Sequence, residues 1–103
     1  MTKEDLKTLL YALHRSTFRN EKQISASVKC GCFHCGKLFK PEDVINWCDN
    51  DGRGDRTALC PYCDIDSVLG DACGVEISVD LLYVMNLQFF GESVDNANIT
   101  FKE

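Results

Sequence analysis

Leucines recur at positions 6, 9, 10 and 13, the spacing that lays apolar side chains along one face of a helix. Thr2 precedes the run and Asp5 follows three residues later, a short-chain form of the capping box, so a helix is predicted from Thr2 to about His14. Its leucine stripe is expected to face a core rather than a partner. Ser16 and Thr17 are suited to cap a second helical stretch, Phe18 to about Ser25, and no Pro or Gly separates the two. Near Val28 the pattern changes. Lys37-Leu38-Phe39 reads as a short strand stopped by Pro41, Val44-Ile45-Asn46-Trp47 as a helical turn or a strand, and Arg56-Thr57-Ala58-Leu59 as a strand. Between the last two, Asp49 to Asp55 has the composition of a turn-forming loop. Ile65 to Leu69 is expected to be a short helix or turn ended by Gly70. Ser78 caps a helix over Val79 to Phe90, with Leu81, Leu82, Met85 and Phe89 on one face and Gly91 stopping it. A polar tail, residues 92–103, carries a short strand pattern at Asn98–Phe101.

At 103 residues, 45% hydrophobic and 26% charged, the chain has the composition of one small globular domain. Its longest apolar run, Leu81 to Met85, is far short of the roughly 20 residues that span a bilayer. Met1 to Asp5 carries charge of both signs and does not read as a signal peptide. The expected compartment is therefore cytoplasmic and reducing. Seven cysteines stand out against that background, because clustered thiols in a reducing compartment bind metal rather than pair as disulfides.

Two CxxC pairs, Cys32/Cys35 and Cys60/Cys63, are separated by 24 residues. Each sits in a tight turn that aims two sulfurs at one point, the requirement of tetrahedral zinc. Gly36 after the first pair and Asp64 after the second both tolerate the left-handed backbone such turns use. One structural zinc per chain is expected, held by Cys32, Cys35, Cys60 and Cys63. Cys30 competes with Cys32, and the two-residue spacing of the second pair favours Cys32. Cys48 and Cys73 are expected to be small apolar side chains, His34 to point outward, and His14 to be a surface or cap residue. Four thiolates fill the coordination sphere and leave no open position for a catalytic water. Zinc with four thiolates carries −2, which Lys29, Lys37, Lys40 and Arg56 are placed in sequence to offset. The chain's formal charge of −5 then becomes about −7.

Charge is unevenly spread: +3 over residues 1–29, −1 over 30–63 and −7 over 64–103. An acidic balance opposes generic nucleic-acid binding, whose affinity comes largely from phosphate neutralisation. The expected fold class is α+β: a small zinc-stabilised domain with a treble-clef or zinc-ribbon-like hairpin, an N-terminal helical arm and a C-terminal helix. Its divisions are the arm at 1–28, the zinc-binding core with its helix at 29–91, and the tail at 92–103.

The stretch Lys29-Cys30-Gly31-Cys32-Phe33-His34-Cys35, with Phe39, Pro41 and Trp47, then Ala58-Leu59-Cys60-Pro61-Tyr62-Cys63-Asp64-Ile65-Asp66-Ser67-Val68, resembles a family of small bacterial cytoplasmic proteins of undefined function. The resemblance covers roughly residues 14–90. It departs at Asp64, where the family has Gly, and in the longer loop around Gly52-Arg53-Gly54. It implies the fold and a four-cysteine zinc site, and no activity.

The function expected is a non-enzymatic zinc-binding protein, bacterial or phage, that acts through protein–protein interaction as an inhibitor or adaptor. Its partner surface is expected on the helical arm, Phe90 and the acidic C-terminal third. An alternative is a nucleic-acid-binding zinc ribbon, using His14, Arg15 and Arg19 with exposed Phe33 and Tyr62 for base stacking. A third is a metal-dependent nuclease drawing on Asp49, Asp51, Asp55, Asp64 and Asp66.

Overall fold

The structure is a computed structural model and describes residues 2–91. The first helix, α1 (Lys3–Arg15), begins as the capping pattern predicts. Thr2 Oγ1 accepts from the Asp5 N–H at 3.1 Å, and Asp5 Oδ2 accepts from the Thr2 N–H at 3.3 Å. Then follow α2 (Glu21–Ala26), strands β1 (Cys30–Cys32) and β2 (Leu38–Phe39), a 3-10 turn at Pro41–Asp43, β3 (Trp47–Cys48), β4 (Thr57–Ala58), β5 (Val68–Gly70) and α3 (Val79–Phe90). Two antiparallel sheets result, β2-β1-β5 and β3-β4.

The three-stranded sheet divides the interior. In register, Gly31 lies between Leu38 and Leu69, and Cys30 lies between Phe39 and Gly70. Successive side chains on a strand point to opposite faces, so each row feeds a different core. Leu69 packs with Leu6, Leu10 and Leu13 of α1, with Phe33 and Ile77, and with Leu82 and Met85 of α3. Cys30, Cys32, Phe39 and Val68 pack with Ile24, Val44, Ala58 and Cys60 on the other side. Gly31 lets α3 close on the sheet: a Cβ there would meet Leu82 Cδ1 at 2.8 Å and Ile77 Cγ2 at 2.9 Å. The leucine stripe of α1 is thus core, as its spacing implied, and the segment expected as an arm is built into the domain.

Two elements differ from expectation. The second helix starts at Glu21 with Asn20 before it, not at Phe18 under a Ser16 or Thr17 cap. Those hydroxyls instead donate backwards, Ser16 to the Leu13 carbonyl and Thr17 to the His14 carbonyl, both at 2.7 Å, and finish α1. Arg19, at φ 48°, then turns the chain. The second correction is at Ile65–Leu69, which is neither helix nor turn. Val68–Gly70 is a strand, because β1 has an open edge there and an apolar Val-Leu pair fits both cores. The second CxxC turn therefore leads into a strand, where a treble clef would open a helix. Val44–Trp47 resolves as the end of the 3-10 turn followed by β3. The expected strand at Asn98–Phe101 lies outside the described residues.

Helix α2 closes the far edge of β5 with polar side chains. Asn20 Nδ2 donates to the Val68 carbonyl at 2.9 Å, Gln23 Oε1 accepts from the Gly70 N–H at 3.1 Å, and Ser27 Oγ accepts from the Ala72 N–H at 3.0 Å. Positions 20, 23 and 27 share one helical face, so a row of side chains stands in for a neighbouring strand. Asn20 also reaches the other sheet, its Oδ1 accepting from the Ala58 N–H at 3.0 Å. Glu21 and Arg56 pair beside it, with two guanidinium bonds of 2.9 and 2.8 Å, while the Glu21 carboxylate also accepts from the Arg56 N–H.

Asn20→Ala is expected to lose about 2–4 kcal/mol, because it strands a buried donor and a buried acceptor; chemical denaturation measures it, with exposed Lys22→Ala as the near-neutral comparison. The Arg56 guanidinium and then its backbone N–H hold the Glu21 carboxyl down at about 2. A depressed folded pKa contributes stability above the unfolded value near 4.5 and loses it as pH falls toward 2. The stability difference between wild type and Glu21→Gln is therefore expected to be flat above about pH 5 and to shrink below it, acid loss of metal being common to both.

Candidate metal centre

Each CxxC turn is closed by its own backbone. In the first, the Cys32 N–H donates to the Lys37 carbonyl at 3.0 Å and the Gly36 N–H to the Cys32 carbonyl at 2.8 Å. In the second, the Cys60 N–H donates to the Ile65 carbonyl and the Asp64 N–H to the Cys60 carbonyl, both at 3.0 Å. The turns are the same device used twice. Gly36 and Asp64 occupy the same place in each, at φ 79° and 65°, as their residue types allowed. The Tyr62 N–H points at Cys60 Sγ at 3.3 Å, a donor aimed at the sulfur that balances thiolate charge.

These turns meet tip to tip. Cys32 Sγ lies 3.7 Å from Cys63 Sγ, and Cys35 Sγ lies 3.6 Å from Cys60 Sγ. All four sulfurs fall within 4.8 Å of one another, a group able to hold one metal ion. The separations are far beyond the roughly 2.05 Å of a disulfide, and all seven cysteines are free.

The electrostatics differ from sulfur to sulfur. Burial pushes the Cys32 and Cys63 thiols up. At Cys60 burial acts in the same direction, but the N–H groups of Tyr62 and Cys63 and the neighbouring sulfurs outweigh it, and the thiol is lowered.

Cys30 is not in the group. It is fully buried between Phe39 and Gly70, and burial, followed by the charges of Asp71, Glu42 and Asp43, pushes its thiol up to about 12. A thiol held protonated there is a packing residue. Cys73 packs against the α1–α3 core, and Cys48 sits half-buried on β3 beside Asp49.

Phe33, expected as an exposed stacking ring, is 1% exposed. It lies under α3, its centroid 5.9 Å from Phe89 and 5.6 Å from Phe90. His34 does point outward, with its ring edge-on to Phe90 at 4.9 Å. Arg56 is engaged by Glu21 and lies over the Trp47 ring at 5.2 Å, so its charge is already matched. Lys37 does reach the second turn, its ammonium 5.1 Å above the Tyr62 ring. Three acidic side chains of the 49–55 loop serve as stitches. Asp49 accepts from Thr57, Asp51 from Arg19 and from the Arg53 N–H, and Asp55 from the Lys22 N–H. Among the described residues, the four cysteines form the one group of metal-binding side chains.

No family model, curated protein or solved structure matches the chain. What the centre can do is therefore read from its own geometry: it can bind a cation with four sulfurs and tie two sheets together.

Because Gly36 has open space where a Cβ would stand, Gly36→Ala tests backbone conformation alone. It is expected to cost about 1–2 kcal/mol. Asp64→Gly at the matching position is expected to gain up to about 1 kcal/mol. Thermal melting of the two variants checks the opposite signs.

Proposed function

We propose that the protein is a zinc protein whose metal is structural, and that it acts by binding another protein. The observation that carries the zinc assignment is the sulfur geometry. Sulfurs about 2.3 Å from a tetrahedral zinc stand about 3.8 Å apart, which agrees with the 3.6 and 3.7 Å separations. Cys32, Cys35, Cys60 and Cys63 would hold the ion and saturate it, so the chemistry zinc supplies is cross-linking rather than activation of water.

Binding of structural zinc contributes on the order of 10–16 kcal/mol in small domains, comparable to or above the 5–15 kcal/mol that keeps a protein folded. Such a site makes folding depend on the ion. A role in protein binding is supported by the surface. Tyr11, Phe18 and Phe90 are exposed. Residues 64–91 carry five acidic side chains and no Lys or Arg. An acidic surface of this kind suits an inhibitor or adaptor that occupies a basic site on its partner.

A nucleic-acid-binding ribbon is the second reading. It draws on Tyr62, 59% exposed with the Lys37 ammonium above its ring, and loses the support of buried Phe33.

Elemental analysis is expected to return about one zinc per chain. Cys60→Ser should lose the metal and the fold together, and Cys30→Ser should keep both. A zinc content near zero, or metal lost by Cys30→Ser, overturns the assignment. Gel-shift titrations over a salt series are expected to show no nucleic-acid complex near 0.1 M salt. A complex with RNA or DNA that Tyr62→Ala abolishes would favour the ribbon reading instead.

A further inference from the structure

Helix α3 is apolar on both sides. Leu82 and Met85 are fully buried, and Leu81, Val84 and Phe89 pack partly against the same core. Yet Val79, Tyr83 and Phe90 are 60, 61 and 50% exposed. A helix that is apolar all round is normally covered all round. With Asn86, the exposed residues form a stripe at 79, 83, 86 and 90, and Asp80 is the single charged residue of the helix.

We propose that this stripe is where a second copy of the chain docks, α3 against α3 in antiparallel orientation. Three observations select this occupant. The first is spacing. Steps of four, three and four read the same in both directions, so a two-fold axis sets Val79 against Phe90 and Tyr83 against Asn86 of the second copy. A small side chain meets a large ring at each end of the contact.

The second is hydrogen bonding. Asn86 Nδ2 is held by the carbonyls of Phe33 and His34, at 2.9 and 3.1 Å. Its Oδ1 has no partner among the described residues, and the Tyr83 hydroxyl of the second copy is a donor at the matching level.

The third is charge. Residues 64–91, the acidic stretch that ends in α3, carry five acidic side chains and no Lys or Arg, so two copies meeting through this part of the surface repel, and a stripe without ionised groups is where that repulsion is least. Asp80 of each copy would face the uncharged Gln88-Phe89-Phe90 end of the other helix. Antiparallel packing also sets helix dipoles head to tail.

Twelve residues make a helix about 18 Å long, and a contact of that length lies at the small end of specific interfaces, below about 1,200 Å². The dimer is therefore weak and concentration-dependent.

Sedimentation equilibrium of the full, metal-loaded chain tests it from about 1 to 300 µM. The mass is expected to rise from 11.6 kDa toward twice that value. Association should tighten several-fold as salt screens the net charge. Tyr83→Glu should remain monomeric with unchanged metal content and circular dichroism. Val79→Lys, at an equally exposed site, is the second variant should Tyr83→Glu fail to fold. A monomer over the whole range overturns the proposal. So does a dimer that survives both substitutions, or one that weakens as salt is added. Metal content is read on the same samples, so a failure of the zinc assignment is seen separately from a failure to associate.

Discussion

No strand among the described residues is longer than three residues. Ladders so short cannot stand alone, since an isolated hairpin is marginal even at greater length. Everything else follows from that shortage. The backbone groups a longer sheet would pair internally are taken by side chains, and the cohesion it would supply comes from a helix on each flank and from the junction of two cysteine turns. The polar row of α2 is the clearest case. Asn20, Gln23 and Ser27 do for the edge of β5 what a sixth strand would do, and Asn20 bonds both sheets at once. No buried side-chain nitrogen or oxygen among the described residues lacks a partner.

The site was legible because its signal is local. A CxxC turn is specified within six residues, and the need for a left-handed residue after it is visible in Gly36 and Asp64. Two such turns in one chain leave few arrangements, with Cys30 the one competing thiol beside them. The choice between Cys30 and Cys32 was open in the sequence because both lie on one face of the same strand. The ladder register decides it, by placing Cys30 two pairs further from the turn than Cys32, between Phe39 and Gly70.

What stayed hidden depends on long-range contact. The helices α1 and α3 follow from periodicity and caps, and α3 spans the residues its pattern indicates. Three residues of β5 carry no period, and only their pairing with β1, more than thirty residues away, makes them a strand. Phe33 sits between two cysteines in a turn, a setting that suggests exposure, until α3 covers it. The polar face of α2 looks like a solvated surface because helix patterning equates polar with outside. Here that face points inward at a sheet edge.

The duplicated turn also sets how the cost of assembly is distributed. Each turn closes over a span of six residues through backbone bonds of its own, so its two sulfurs are brought together by local contacts alone. Bringing the pairs together closes a much longer loop, and the entropy of that closure rises only with the logarithm of its length. Within the 24 residues between the pairs, β2, β3, β4 and the core side chains Phe39, Val44 and Ala58 are fixed by pairing and packing, so it is the exposed stretch around Gly52 and Gly54 whose length can vary at little closure cost. A change of length at those two glycines leaves the joint in place, because it is made at the tips of the turns, and neither glycine has a neighbouring atom where a Cβ would stand.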